Sequence, residues 1–118
     1  MRIAVVDDER PARSELKYLL EQCEPEAEIA EADGSEEFLA MLENENFDVC
    51  FVDINLGGMN GTTLASMIKR KQPDTLIIFA TAFREYAVKA FEIGAVDYLL
   101  KPFDYERVKR AMERVHEH

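Results

Sequence analysis

No stretch of this 118-residue sequence approaches the ~20 consecutive apolar residues that a membrane-crossing helix needs. The N-terminus lacks the basic segment and long apolar core of a signal peptide and runs directly into a short strand-like stretch. The expected location is therefore the cytoplasm. Positive charge is scarce: 14 Lys and Arg face 24 Asp and Glu, for a net charge of −10. A domain so charged has no means of replacing the counterions of DNA, RNA or an anionic membrane, so no nucleic acid or membrane partner is expected through it. Only two cysteines occur, which excludes a disulfide framework. Cys23 and Cys50 both sit in apolar patterns and are expected as buried thiols in a reducing compartment. A glycine-rich phosphate loop is also missing. The first strand-like run leads into "DDERPA", which repels phosphate unless a metal is present, so a nucleotide or flavin binder is not indicated. No linker, internal repeat or low-complexity segment interrupts the chain.

What is present reads as one soluble domain. Apolar residues make up 47% and charged residues 32%, and a chain of this length hides roughly two thirds of its unfolded surface. Short β-branched or aromatic runs, "RIAVV" (2–6), "DVCFV" (48–52) and "TLIIFA" (75–80), look like strands covered on both faces. "AEIAEA" (27–32) and "AVDYLL" (95–100) are more mixed, as edge strands can be. Helical faces lie between them. Ala12, Leu16, Leu19, Leu20 and Cys23 form the first, with Pro11 suited to the first turn. Phe38, Met41 and Leu42 mark a second, opened by Gly34 and Ser35; Leu64, Ala65 and Ile68 mark a third, ending before Pro73. Ala87, Ala90 and Phe91 mark a fourth, closed by Gly94, and Tyr105, Val108, Met112 and Val115 mark a fifth, capped by Asp104. The order is (βα)5. It predicts an α/β fold with a five-stranded doubly wound parallel sheet, flavodoxin-like, in strand order 2-1-3-4-5.

In such sheets, sites form at the carboxyl ends of the strands. Asp7, Asp8 and Glu9 stand after the first strand, Asp53 after the third, Thr81 after the fourth, and Lys101 and Pro102 after the fifth. Each has an ordinary alternative. Asp7 and Asp8 would serve to cap the helix at Pro11, Asp53 to open a turn, Thr81 to end a strand, and Lys101 to sit in solvent. Adjacent carboxylates about 5 Å apart repel by roughly 3 kcal/mol at an effective dielectric of about 20. Several strand ends carrying carboxylates together favour a hard cation such as Mg2+.

"VVDDE", "FVDINLGGMNG", "FATA" and "DYLLKPF" together resemble the motifs of bacterial two-component response-regulator receiver domains, across the whole chain. "TAFREYAVKAFEIGAVDYLLKPFDYERV" is most similar to receivers of LytTR-type transcriptional regulators. The resemblance implies one receiver domain over 1–118, with a C-terminal effector outside these residues. It implies Asp53 as the phosphoacceptor, with Asp7, Asp8, Asp53 and the carbonyl of Asn55 around Mg2+, and Lys101 pairing with the phosphoryl group. Thr81 and Tyr98 would form a switch, the ring moving inward on phosphorylation. Ala82 would leave the phosphoryl pocket open, Asn55 and Phe83 would tune phosphoryl lifetime, and the Lys101–Pro102 bond would be cis. Gly57 stands where many relatives have proline, so a looser loop is expected.

The implied partners are a sensor histidine kinase and, on phosphorylation, a second copy through the face of helix 4, strand 5 and helix 5. That face gathers Phe91, Tyr98 and Tyr105 with Arg107, Lys109, Arg110 and Arg114. Such a domain is a signalling module that catalyses its own phosphorylation and dephosphorylation rather than an enzyme in the metabolic sense. The alternatives are a stand-alone or phosphorylation-independent interaction module and, more remotely, an aspartate-nucleophile phosphatase. The phosphatase would need its second aspartate two residues after the nucleophile, where this chain has Glu9.

Overall fold

The computed structural model describes residues 1–118. Its elements alternate as β1 (Arg2–Val6), α1 (Arg10–Cys23), β2 (Glu28–Ala32), α2 (Ser35–Leu42), β3 (Val49–Val52), α3 (Gly61–Lys71), β4 (Leu76–Thr81), α4 (Ala87–Glu92), β5 (Asp97–Leu100) and α5 (Tyr105–His116). All strand pairs are parallel, and the sheet order is β2-β1-β3-β4-β5. The expected architecture is therefore the observed one.

Strand periodicity explains why the central strands are apolar throughout. Successive side chains point to opposite faces, and both faces are covered. Ala4, Val6, Cys50, Val52, Ile77 and Phe79 pack against α2, α3 and α4 through Phe38, Leu64, Ile68 and Ala90. Ile3, Val5, Val49, Phe51, Ile78 and Ala80 pack against α1 and α5 through Leu16, Leu20, Val108 and Met112. Each large apolar side chain so buried contributes roughly 1.5–3 kcal/mol. No helix is long and apolar enough to cross a membrane.

The local signals act as expected at several ends. Pro11 lies in the first turn of α1, Asp104 caps α5 by accepting from the Arg107 N–H, and Gly94 closes α4 in the left-handed region at φ 88°. Three expectations need correction. Phe91 does not join the core: it is 53% exposed, while Ala90 makes the contact with the sheet. A helix of six residues offers the sheet barely one buried position, and Phe91 is turned about 100° from Ala90. Thr81 is the last residue of β4 rather than the first beyond it. Cys50 is buried, but Cys23 is only half-buried at the end of α1.

Candidate functional site

Backbone pairing carries the site residues into place. Past the end of β1, Asp7 N–H donates to the Ala32 carbonyl at 3.1 Å; past β3, Asp53 N–H donates to Val6 at 3.0 Å; past β5, Lys101 N–H donates to Thr81 at 2.8 Å. The sheet ladder thus runs one bond beyond its strands and fixes three chemically active residues at one edge. Asp7 and Asp53 are buried there, and Asp8 is exposed. One carboxylate oxygen from each of Asp7, Asp8 and Asp53 lies within 4.8 Å of the others.

The charges around this edge do not balance. Lys101 Nζ contacts Asp7 Oδ2 at 2.9 Å, Asp53 Oδ2 at 3.0 Å and Glu9 Oε1 at 2.6 Å. Three carboxylates therefore share one ammonium, and a fourth, Asp8, stands close by. Burial pushes the Asp7 carboxyl above its ordinary range, and the nearby Asp53 charge adds to this against the opposing Glu9 N–H and Lys101. For Lys101, burial alone would lower the ammonium's pKa, but the bonds to Glu9, Asp7 and Asp53 outweigh it and hold the group well above an ordinary lysine. Neither Asp7 nor Asp8 is spent on capping: the residue at the N-cap of α1 is Glu9, whose side chain makes no cap bond, and Asp7 Oδ1 instead accepts from the Glu9 N–H at 2.8 Å.

A cleft of about 300 Å³ opens over these groups, lined by Asp8, Glu9, Asp53, Asn55, Ala82, Phe83 and Lys101. Ala82 offers only a methyl group, which keeps the cleft open beside Asp53. The Phe83 ring is 38% exposed and meets Tyr86 edge-on at 6.4 Å. Asn55 is exposed, and its N–H faces Asp53 Oδ1 at 3.4 Å. The Lys101–Pro102 bond is cis.

The loop after Asp53 follows a path that proline would not allow. Gly57 has φ 75°, in the left-handed region, whereas proline is fixed near −65°. The loop is tied rather than loose: Asn55 bridges to Asn60, and Gly61 N–H donates to Ile54 at 2.7 Å. Asn60 then caps α3 by accepting from the Thr62 N–H at 2.8 Å. Gly61 has a role that the sequence reading missed. A Cβ there would lie 2.0 Å from the Asp53 carbonyl oxygen, so any side chain would displace the backbone of the central aspartate. Its place at the end of "GGMNG", where a turn runs into a helix, was the available signal.

Thr81 and Tyr98 stand apart from the carboxylates but close to the same loop. Thr81 is fully buried, and its Oγ1 accepts from the Phe83 N–H at 3.3 Å. Tyr98 donates its hydroxyl to the Phe83 carbonyl and packs on Phe79 with ring centroids 6.2 Å apart. Both residues therefore hold the backbone of Phe83. The Tyr98 ring is inward, the position that the sequence reading assigned to the phosphorylated state.

A second charged cluster was not foreseen. Asp97, at the start of β5, is buried and takes a two-pronged bond from Arg107, Nη1 to Oδ2 at 2.9 Å and Nη2 to Oδ1 at 2.6 Å, with Arg114 Nη1 at 3.0 Å. Burial would raise the Asp97 carboxyl, but Arg107, the Tyr98 N–H and Arg114 outweigh it and hold it below its ordinary range. Two of the arginines read as part of a surface stripe on α5 are thus committed within the molecule.

The profile of the response regulator receiver domain matches residues 3–113. Over 114 residues the chain is 42% identical to the sensory transduction protein LytT of Bacillus subtilis, covering 97% of this chain and 47% of that protein. It is 43% identical over 115 residues to the transcriptional regulatory protein LytR of Staphylococcus aureus, covering 98% of this chain and 47% of that protein. The chain thus spans about half the length of these curated relatives. Its fold is similar to the crystal structure of the response regulatory domain of mrkE from Klebsiella pneumoniae, with a TM-score of 0.91, 33% identity, and coverage of 99% of this chain and 96% of that one.

Proposed function

The chain belongs to the response regulator receiver domain family, and from that premise we propose that it accepts a phosphoryl group on Asp53 from a sensor histidine kinase in the cytoplasm, in a Mg2+-dependent step. The observation that carries this reading is the convergence of Asp7, Asp8 and Asp53 within 4.8 Å, with Lys101 Nζ 3.0 Å from Asp53, in one open cleft.

The donor set fits Mg2+: hard carboxylate oxygens in a cluster that lacks positive charge. Asp7, Asp8, Asp53 and the Asn55 carbonyl would hold the ion. When bound, it supplies charge that offsets the carboxylates and draws in the phosphoryl oxygens. An Asp53 oxygen forms the new bond to phosphorus as the donor's P–N or P–O bond breaks, and the leaving imidazole or acetate keeps the electron pair. Lys101 turns its ammonium from the carboxylates to the phosphoryl oxygens, which are stabilised mainly by charge and positioning. Ala82 leaves room for the group, and Phe83 shields it from water. As the chain's own residues carry out both transfer and hydrolysis, it is a signalling domain that catalyses its own modification.

The Thr81 hydroxyl, now bonded to the Phe83 N–H, would turn to the phosphoryl oxygen, while Tyr98 keeps the Phe83 carbonyl. The loop between β4 and α4 would shift, and with it the face of α4, β5 and α5. That is a two-state population shift set off by local charge. Val88, Phe91 and Tyr105 are exposed on α4 and α5, and Lys109 and Arg110 are exposed on α5. We assign to this face a phosphorylation-promoted homodimer, and to the longer protein a transcriptional output through a LytTR-type DNA-binding domain.

Incubation with acetyl phosphate and Mg2+ followed by intact-mass measurement tests the reading. The parent should gain one phosphoryl group, and Asp53→Asn none. Equal modification of both would remove Asp53 from the mechanism.

A further inference from the structure

Asp8 is the exposed member of the acidic cluster, and its side chain takes no hydrogen bond from the protein. Its place is set by the backbone on either side. The Asp7 carbonyl accepts from Arg13 Nη1 at 2.8 Å, and the Glu9 carbonyl accepts from the Arg13 N–H at 3.0 Å. The second bond is the ordinary first bond of α1. The first is not required by any helix or strand. One residue thus holds both carbonyls that flank Asp8.

Arg13 is itself held. Its side chain is only 14% exposed, and its Nε donates to Glu31 Oε1 at 3.0 Å. The other Glu31 oxygen takes Lys17 Nζ at 3.4 Å. On β2, Glu31 shares a face with Ile29, which packs against the α1 side of the core. A carboxylate therefore stands where the pattern calls for an apolar residue. Burial alone would raise its pKa, but Arg13 and Lys17 outweigh this and keep the carboxyl below its ordinary range. The edge strand gives up an apolar position in order to orient a guanidinium onto the Asp7 carbonyl.

We propose that Arg13 is a positioning residue for the divalent cation: it fixes the loop carrying Asp7 and Asp8 at the spacing the ion requires. Mg2+ demands near-ideal octahedral geometry, and an exposed carboxylate on an unanchored loop would lose that geometry to repulsion from its neighbours. This role rests on the Mg2+ reading of the site. Positioning and charge make opposite predictions. Arg13 is a cation beside the acidic loop, so if only its charge mattered, removing it would tighten Mg2+ binding. If it positions the loop, removing it weakens binding.

The test is a Mg2+ titration of the whole chain without phosphodonor, followed through backbone amide shifts in NMR. Arg13→Gln should weaken Mg2+ binding by about tenfold, the lower end of what loss of an orienting partner costs a metal site. Arg13→Lys keeps the charge but not the two-sided geometry, and should stay several-fold weaker than the parent, on the order of threefold or more. Phosphorylation by acetyl phosphate should slow at low Mg2+ and return to within about twofold of the parent at saturating Mg2+, a rescue that general loss of structure would not show. Arg13→Gln binding as tightly as the parent, or more tightly, overturns the role. Should Arg13→Gln fail to fold, Arg13→Lys carries the test at constant charge: weaker Mg2+ binding supports the role and unchanged binding overturns it. A parent chain that binds no Mg2+ overturns this role and the proposed function together, whereas a parent that binds beside an unaffected Arg13→Gln overturns only the former.

Discussion

Two buried aspartates of this molecule lie beside cations and are used in opposite ways. Asp97 faces two guanidinium groups, Arg107 and Arg114, and each of its oxygens is bonded. Asp53 shares a single ammonium with Asp7 and Glu9, and Asp8 stands close by. The first cluster is complete within the chain. The second has more negative charge than the chain can answer. Burial of a carboxylate therefore does not mark function by itself. The proposed function rests instead on the deficit of positive charge, which would leave room for a cation and an incoming phosphoryl group. The pKa directions follow the same division: Asp97 is pulled down, chiefly by Arg107 against burial, while Asp7 is pushed up, chiefly by burial.

If that division is right, the two sites should respond to substitution with opposite signs. The largest effect is expected at the complete one. Removing one partner of a fully buried ion pair costs about 3–5 kcal/mol. Arg107 and Arg114 keep 31% and 45% of their side-chain surface exposed, so solvent screens part of this. Asp97→Ala should lose about 2 kcal/mol in urea denaturation; a loss near zero would make Asp97 no different from a surface charge.

Acid should separate the sites next. Asp97 binds its proton less readily when folded than at its ordinary value of 3.8, so its contribution is intact above about pH 4 and drains away as pH falls through the lower folded value. Asp7 has a raised folded pKa, so its ionisation opposes folding. Protonation relieves that cost as pH falls from neutral toward the acid range. Below about pH 4 the parent should lose more stability than Asp97→Ala. Parallel pH profiles for the two proteins would contradict this.

Mg2+ should act on the incomplete site alone. At ten times its Kd, a ligand that binds only the folded chain adds about 1.4 kcal/mol. Calorimetry should find nearly the same gain in Asp97→Ala, since the two sites share no partner. The smallest effect has the reverse sign. Asp8→Asn, measured in EDTA, should stabilise the chain by about 0.5 kcal/mol by relieving like-charge repulsion, and should also weaken the Mg2+ response. A destabilised Asp8→Asn would mean that the cluster is not strained by its own charge.

The sequence made one of these sites legible and hid the other, for a physical reason. Asp7, Asp8, Asp53 and Lys101 each stand just past the end of a strand, and alternation of strands and helices determines which strand ends meet. Their convergence needed only the topology. The partners of Asp97 lie on α5, and which side of that helix faces β5 depends on packing that one-dimensional periodicity does not resolve. Val108 and Met112 announced the buried face, but nothing announced that Arg107 and Arg114 flank it closely enough to reach a buried carboxylate. Phe91 misled in the opposite direction, because a helix of six residues is too short for its apolar pattern to define a face. Arg13 and Gly61 were hidden because their roles are contacts with backbone carbonyls, for which side-chain patterns carry no signal.

The central claim is that the site short of positive charge, and not the complete one, takes the phosphoryl group, and that Mg2+ makes this possible. Borohydride reduces an aspartyl phosphate to homoserine, so peptide mass mapping after phosphorylation by acetyl phosphate locates the modified residue directly. The account predicts homoserine at position 53 alone, formed with Mg2+ and lost with EDTA. Homoserine at position 7, 8 or 97, or equal labelling of position 53 in EDTA, would contradict it.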